Sequence, residues 1–217
     1  CILTDEDLID NFTLVIKHIA YQCAQYPDET VISKAIQKLF SWAELLKPSG
    51  KGISKSVQMG FWGEMFVLDQ YVSKVHPIKD AISFWIGPEQ KKQDFTLNHM
   101  ALEVKTTMSG SGSTIKISSL EQLDKITDHL YLIHVFINKG NAPDSLSLKD
   151  LYDQIIESIN DDTETKANFL FSASKIYGKA TDAQRNEKFT FLDYNLYEID
   201  ENFPIISSNE LPDAIRS

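Results

Sequence analysis

Asp94, Glu103 and Lys105 share the stretch Asp94-Phe-Thr-Leu-Asn-His-Met-Ala-Leu-Glu103-Val104-Lys105. Their types suit phosphodiester chemistry. Two carboxylates can hold a hard divalent cation such as Mg²⁺, and a nearby ammonium can orient a water or meet charge developing on phosphate oxygens. The stretch reads as two strands joined at Asn98-His99. If those residues form a tight turn, which Asn favours by tolerating positive φ, paired positions sum to 197 and Asp94 lies opposite Glu103. Cross-strand neighbours hold their Cβ atoms about 5 Å apart, so the two carboxylates repel unless a cation stands between them. Strand alternation returns Lys105 to the Glu103 face about 6.6 Å further along. Thr96 and Ala101 share that face, Phe95, Leu97, Leu102 and Val104 turn to the core, and the Val104 carbonyl offers a further oxygen. Read from the residues alone, the set is either a cation site or a solvated cross-strand charge triplet.

A fourth candidate precedes the hairpin in Gly60-Phe-Trp-Gly-Glu64-Met-Phe-Val-Leu68. Three and four positions from Glu64 stand Gly60, Phe61, Val67 and Leu68, so on a helix this carboxylate belongs to an apolar face. Burial there without a partner is costly, which predicts a cation or a hydrogen-bond donor beside it. A place at the rim of that face, with the head group in water, is the alternative. Gly60 and Gly63 would let the helix approach a sheet closely.

The elements that must position these groups follow from periodicity. Amphipathic helices are expected from Thr4 to about Ala24, Asp28 to Leu46 and Ser54 to Ser73, the second closed by Pro48-Ser49-Gly50. The period then shortens, and Ala81–Ile86, Asp94–Asn98, Ala101–Thr107 and Thr114–Ser118 read as strands. A short helix over Ser119–Ile126, a buried strand over Leu130–Ile137, helices over Ser147–Ile159 and Thr163–Ile176, and a late strand over Lys188–Ile199 complete the chain. The sequence therefore predicts an α/β fold with a helical region at 1–50 ahead of a compact unit at 51–217.

Composition sets limits on function. The 217 residues are 42% hydrophobic and 11% aromatic, which is ordinary for a globular core and excludes disorder. No membrane span or secretory leader is evident, so a cytoplasmic protein is expected. Cys1 and Cys23 alone support neither a disulfide framework nor a cysteine zinc site. The net charge of −10 opposes bulk attraction to nucleic acid, yet nine Lys against six acids between Lys47 and Lys116 give that segment +3. A start at Cys1 suggests a piece of a longer polypeptide.

By motif and order, a helix with G-x-x-x-E at Gly60 and Glu64, then Asp94 and E-V-K at Glu103 to Lys105, the chain resembles the PD-(D/E)XK nuclease superfamily. Gln93 stands where that family often has proline. Trp85-Ile-Gly87-Pro88 and Phe203-Pro204 are similar to a bacterial branch associated with restriction and phage defence. The resemblance implies a restriction-endonuclease-like αβββαβ core with a mixed sheet. It also implies Mg²⁺-dependent DNA cleavage, with Mn²⁺ able to substitute. Asp94, Glu103, the Val104 carbonyl and auxiliary Glu64 would hold the metal, and Lys105 would be catalytic. A repair, recombination or transposition nuclease, or a silent DNA-binding or assembly module, are the alternatives. DNA is the expected partner, with further defence subunits or a second copy as others.

Weaker candidates surround this set. Lys91 and Lys92, and Lys51 and Lys55 at the mouth of the helix, are placed to contact phosphates, or are solvated lysines. Gln122 could support the site, as in related nucleases, although Ser119-x-x-Gln122 is also a capping box. Ser109-Gly-Ser-Gly-Ser113 reads as a hairpin tip, His99 as a turn residue, His134 as a core histidine, and Phe61, Trp62 and Phe66 as core aromatics.

Overall fold

A computed structural model describes residues 9–24, 26, 28–45, 52–85, 93–110, 127–200 and 203. Two N-terminal helices, α1 (Ile9–Cys23) and α2 (Asp28–Leu45), are followed by α3 (Lys55–Val67), whose Ser54 cap accepts the Val57 amide at 3.2 Å. The α3 helix continues through a π turn at Leu68–Val72 into α4 (Ser73–Val75). Then come α5 (Ile78–Phe84), β1 (Phe95–Leu97), β2 (Met100–Met108), β3 (His129–Lys139) and β4 (Leu146–Ser147). Helices α6 (Leu148–Ser158), α7 (Thr163–Tyr177) and α8 (Asp182–Asn186) precede β5 (Lys188–Glu198). Ser147 and Asp150 form a reciprocal capping box at the start of α6, which fixes where β4 ends and the helix begins.

The five strands make one mixed sheet in the order β1-β2-β3-β5-β4. Strands β1 and β2 pair antiparallel, β2 and β3 parallel, and β5 runs antiparallel to both β3 and β4. This is a restriction-endonuclease-like α/β fold. The parallel β2/β3 pair requires a crossover. The strand expected at 114–118 and the helix at 119–126 fall in that connection and lie outside the described residues, as do 86–92. Among the described residues no helix is long and apolar enough to cross a membrane.

One expected element is corrected. Residues 81–86 do not form a strand: Ile78–Phe84 is helical, and only Trp85 bridges Phe95. Ile78, Ala81, Ile82 and Trp85 follow i, i+3, i+4, i+7 spacing, so a window opened at Ala81 truncates a helical stripe to an ambiguous apolar run.

The main core lies between the sheet and α3, α5, α6 and α7. Phe61, Trp62, Met65, Leu68, Trp85, Phe95, Val104, Ile133, Val135, Ile137, Phe169 and Phe189 are all buried in it. Trp62 stacks on Phe66 at 4.9 Å and donates its indole N–H to the Leu146 carbonyl at 2.9 Å, so this cluster is core, as expected. The opposite sheet face carries a smaller cluster of Ala101, Leu130, Leu132 and Ile199. Val15, Ile19, Cys23 and Trp42 of the N-terminal helices pack with Leu170 and Phe171 of α7. Strand β5 carries a bulge: Ile137 pairs with Phe191 but Phe136 with Asp193, which leaves Leu192 as the extra residue.

Close approach of α3 to β2 occurs at Gly63, where an added Cβ would fall 1.8 Å from Thr106 Oγ1 and 3.1 Å from Thr106 Cβ. At Gly60 nothing lies within 4 Å of that position. Gly63→Ala is therefore expected to destabilise by about 1–3 kcal/mol through overpacking. Gly60→Ala should be neutral or stabilising by up to about 1 kcal/mol. Urea unfolding of the two variants checks the contrast, and equal effects would contradict the packing described.

Candidate active site

The hairpin adopts the register that a two-residue turn dictates. Phe95 pairs with Leu102, Thr96 with Ala101 and Leu97 with Met100, and Asn98 takes φ 39° in the turn. Asp94 lies just before β1, and its Oδ2 accepts the Val104 N–H at 2.7 Å, so β2 holds this carboxylate directly. Glu103 is 0% exposed. Parallel pairing with β3 sets Leu132 beside Glu103 and His134 beside Lys105, so the face expected to be polar is walled by a second strand. Lys105 Nζ stands 2.7 Å from Glu103 Oε1, with its side chain 15% exposed. This is not a solvated surface triplet.

Glu64 comes from α3, 8% exposed. Its Oε2 accepts the Trp85 indole N–H at 3.0 Å, which supplies the donor that burial demanded. Burial still pushes its pKa up to about 7, against the Trp85 bond. The Glu103 charge adds to the rise and Lys105 opposes it. Asp94 is raised well above the usual carboxylate range by burial, then by Glu64 and Glu103, against the Val104 amide and Lys105. Burial raises Glu103 as well, while the Lys105 ammonium and the Asp94 amide draw it partly back. Three carboxylates and one ammonium thus feel one another in a low-dielectric setting where three negative charges against one positive are costly.

Hard oxygen donors of this kind fit a divalent cation such as Mg²⁺. Both Glu103 oxygens are buried, and Oε1 faces the Lys105 ammonium at 2.7 Å, so this carboxylate is held as a desolvated oxygen donor beside a cation. Among the described residues no three acid, imidazole or thiolate side chains are gathered closely enough to ligate one ion as they stand. The fit is in donor chemistry, and ligation would require the carboxylates to close in.

The remaining candidates separate from this cluster. Lys55 pairs with Glu187 and lies over the Phe189 ring, nine residues and so about 14 Å of helix axis before Glu64. Lys51, Lys91, Lys92 and Gln122 lie outside the described residues. His99 is exposed in the turn beside Asp128, and buried His134 bonds Thr107 Oγ1 at 2.8 Å with its pKa lowered by burial. Trp85 is the contact that spacing did not single out. Its signal was indirect, since a carboxylate on an apolar helix face needs a donor from elsewhere.

A family model described as "Putative PD-(D/E)XK family member, (DUF4420)" matches residues 1–217. The chain belongs to this family. No curated protein and no solved structure matches the chain. In this family member Glu64 of α3, the hairpin aspartate and the E-V-K strand act on one another electrostatically.

Protonation should govern the stability of the cation-free protein. Glu64 rises from an ordinary 4.5 to about 7 on folding. The folded state therefore holds the extra proton, and this stabilisation is present below about pH 4.5 and lost as pH rises through 7. The full change is on the order of 3 kcal/mol. Urea unfolding in EDTA is expected to show lower stability at pH 8 than at pH 5.5, and Glu64→Gln should flatten that dependence. An unchanged slope in Glu64→Gln would exclude this carboxylate as the source.

Proposed function

We propose that the protein is a Mg²⁺-dependent DNA endonuclease acting in a restriction or phage-defence system. The observation that carries this reading is that buried Glu64 and Glu103 and half-buried Asp94 form one electrostatic set, with Lys105 2.7 Å from Glu103. Family membership supports phosphodiester hydrolysis as the reaction class. The defence setting rests on the similarity around Trp85 and Phe203. We read 1–50 as a helical region carried by a nuclease unit at 51–217.

Asp94, Glu103 and the Val104 carbonyl are the proposed primary metal ligands, with Glu64 auxiliary. A bound divalent ion would neutralise the carboxylates, polarise the scissile phosphate and acidify an attacking water. Asp94 is held by the Val104 amide, so it enters the site on a fixed backbone contact. Lys105, steered by Glu103, supplies a fixed positive charge to the oxygens that gain charge as the phosphorus–oxygen bond breaks. The apolar wall of Leu130 and Leu132 lowers the local dielectric and strengthens both effects. Lys51, Lys91 and Lys92 are proposed phosphate contacts. Lys55 is committed to Glu187 and is not retained in that role.

Lys105→Met keeps the stem and removes the charge. It is expected to lower Mg²⁺-dependent cleavage by about 10²–10³-fold while leaving DNA binding intact. Cleavage of supercoiled, linear, methylated and single-stranded DNA with Mg²⁺ or Mn²⁺ is the measurement. Wild-type turnover by Lys105→Met, or no cleavage of any of these substrates by the wild type, would sink the assignment.

Divalent ions should also raise the melting temperature of the wild type. A hundredfold excess over the dissociation constant gives about 2.7 kcal/mol. Asp94→Asn should lose most of that gain, and an equal response in both proteins would place the ion elsewhere.

A further inference from the structure

Trp85 reaches two of the candidate ligands at once. It caps α5, its amide bonded to the Ala81 carbonyl at 3.3 Å, and its backbone bridges Phe95, the neighbour of Asp94. Its ring is buried against Phe61 and Phe169, with centroids 6.3 and 5.9 Å away, and its Nε1–H donates to Glu64 Oε2 at 3.0 Å. A glutamate carboxylate can rotate about its last torsion, and a donor fixed on one oxygen sets its plane and leaves the other oxygen to face a ligand. An indole suits that task. It donates without carrying charge, so it orients the carboxylate without competing with a cation as lysine or arginine would.

We propose that Trp85 is a positioning residue of the metal centre. Its indole sets the plane in which Glu64 presents Oε1 to a divalent ion, and its backbone bridge keeps the Asp94 hairpin in register with that carboxylate. The proposal rests on the nuclease reading in taking Glu64 and Asp94 as ligands. A merely structural tryptophan would contribute packing alone. Phe169→Leu trims the same aromatic cluster without touching the Trp85–Glu64 bond, so it serves as the packing control.

Mn²⁺ affinity, read from the electron paramagnetic resonance of the free ion, separates the two roles. Trp85→Phe is expected to weaken Mn²⁺ binding by about 10–100-fold, the usual effect of losing a partner that orients a ligand. Phe169→Leu should leave it unchanged, and Trp85→Phe should add nothing in a Glu64→Gln background. A second measurement needs no variant at position 85. The three indole N–H signals of the wild type are assigned through Trp42→Phe and Trp62→Phe, and Mg²⁺ is added. The Trp85 signal should move while that of Trp62, bonded to the Leu146 carbonyl, stays. Wild-type Mn²⁺ affinity in Trp85→Phe, an equal loss in the Glu64→Gln background, or a stationary Trp85 signal would overturn the proposal and leave the nuclease reading standing. Absence of Mn²⁺ binding by the wild type would overturn both.

Discussion

The candidate site depends on how near α3 comes to β2. Three consecutive residues set that distance and use it. Trp62 anchors to the Leu146 carbonyl, Gly63 lies against Thr106, and Glu64 bonds the Trp85 indole. Glycine at the middle position removes the one carbon atom that would hold helix and strand apart. With the helix backbone resting on the strand, the next side chain along reaches the hairpin, and a carboxylate from a distant part of the sequence acts on Asp94 and Glu103. The aromatic core that surrounds this contact, from Phe61 to Phe189, keeps the approach rigid.

Such an approach has an electrostatic cost. A buried ion pair is weak evidence of stability, because desolvating the charges offsets much of their attraction. Here Lys105 balances one carboxylate of three, so the arrangement is worse than a pair. Burial accordingly pushes the pKa of all three acids up, against the pull of Lys105. A fold selected for stability alone would fill the same volume with leucine. The concentration of unbalanced acids beside one lysine is what singles this place out as the candidate site.

The hairpin could be read from the sequence because a two-residue turn leaves a single register. Once Asn98 and His99 are the turn, the relation of Asp94 to Glu103 and of Glu103 to Lys105 is arithmetic. The inward face of Glu64 could be read for a similar reason, since its i±3 and i±4 neighbours are apolar. Depth could not be read: Glu103 is fully buried because β3 lies parallel beside β2, brought there by a crossover that local patterning does not specify. The bond between Trp85 and Glu64 joins residues 21 apart through tertiary packing. Of two glycines with the same apparent purpose, only Gly63 meets the sheet, since nothing lies within 4 Å of a Cβ placed at Gly60. The segment at 81–86 was misread for want of three residues, as Ile78 completes the helical stripe.

The bulge in β5 bears on which residues share a face. Phe189 and Phe191 are two apart, but the next residue on their face is Tyr194, three further on. Phe191 and Tyr194 accordingly meet at 6.5 Å, and Tyr194 lies edge-on to Tyr71 at 5.5 Å. Past the bulge, Asp193, Asn195 and Tyr197 pair with Phe136, His134 and Leu132 on the side of Glu103 and Lys105. The bulge thus absorbs Leu192 and carries the alternation of faces across it. Straightening the bulge with Leu192 in place would exchange the two faces of the distal strand, carrying tyrosine and leucine toward the acid cluster and aspartate and asparagine into the aromatic layer, whereas deleting Leu192 would restore regular pairing and leave both faces as they are. At this point in the chain the irregular pairing, and not the identity of the residue it absorbs, decides which side chains share a face.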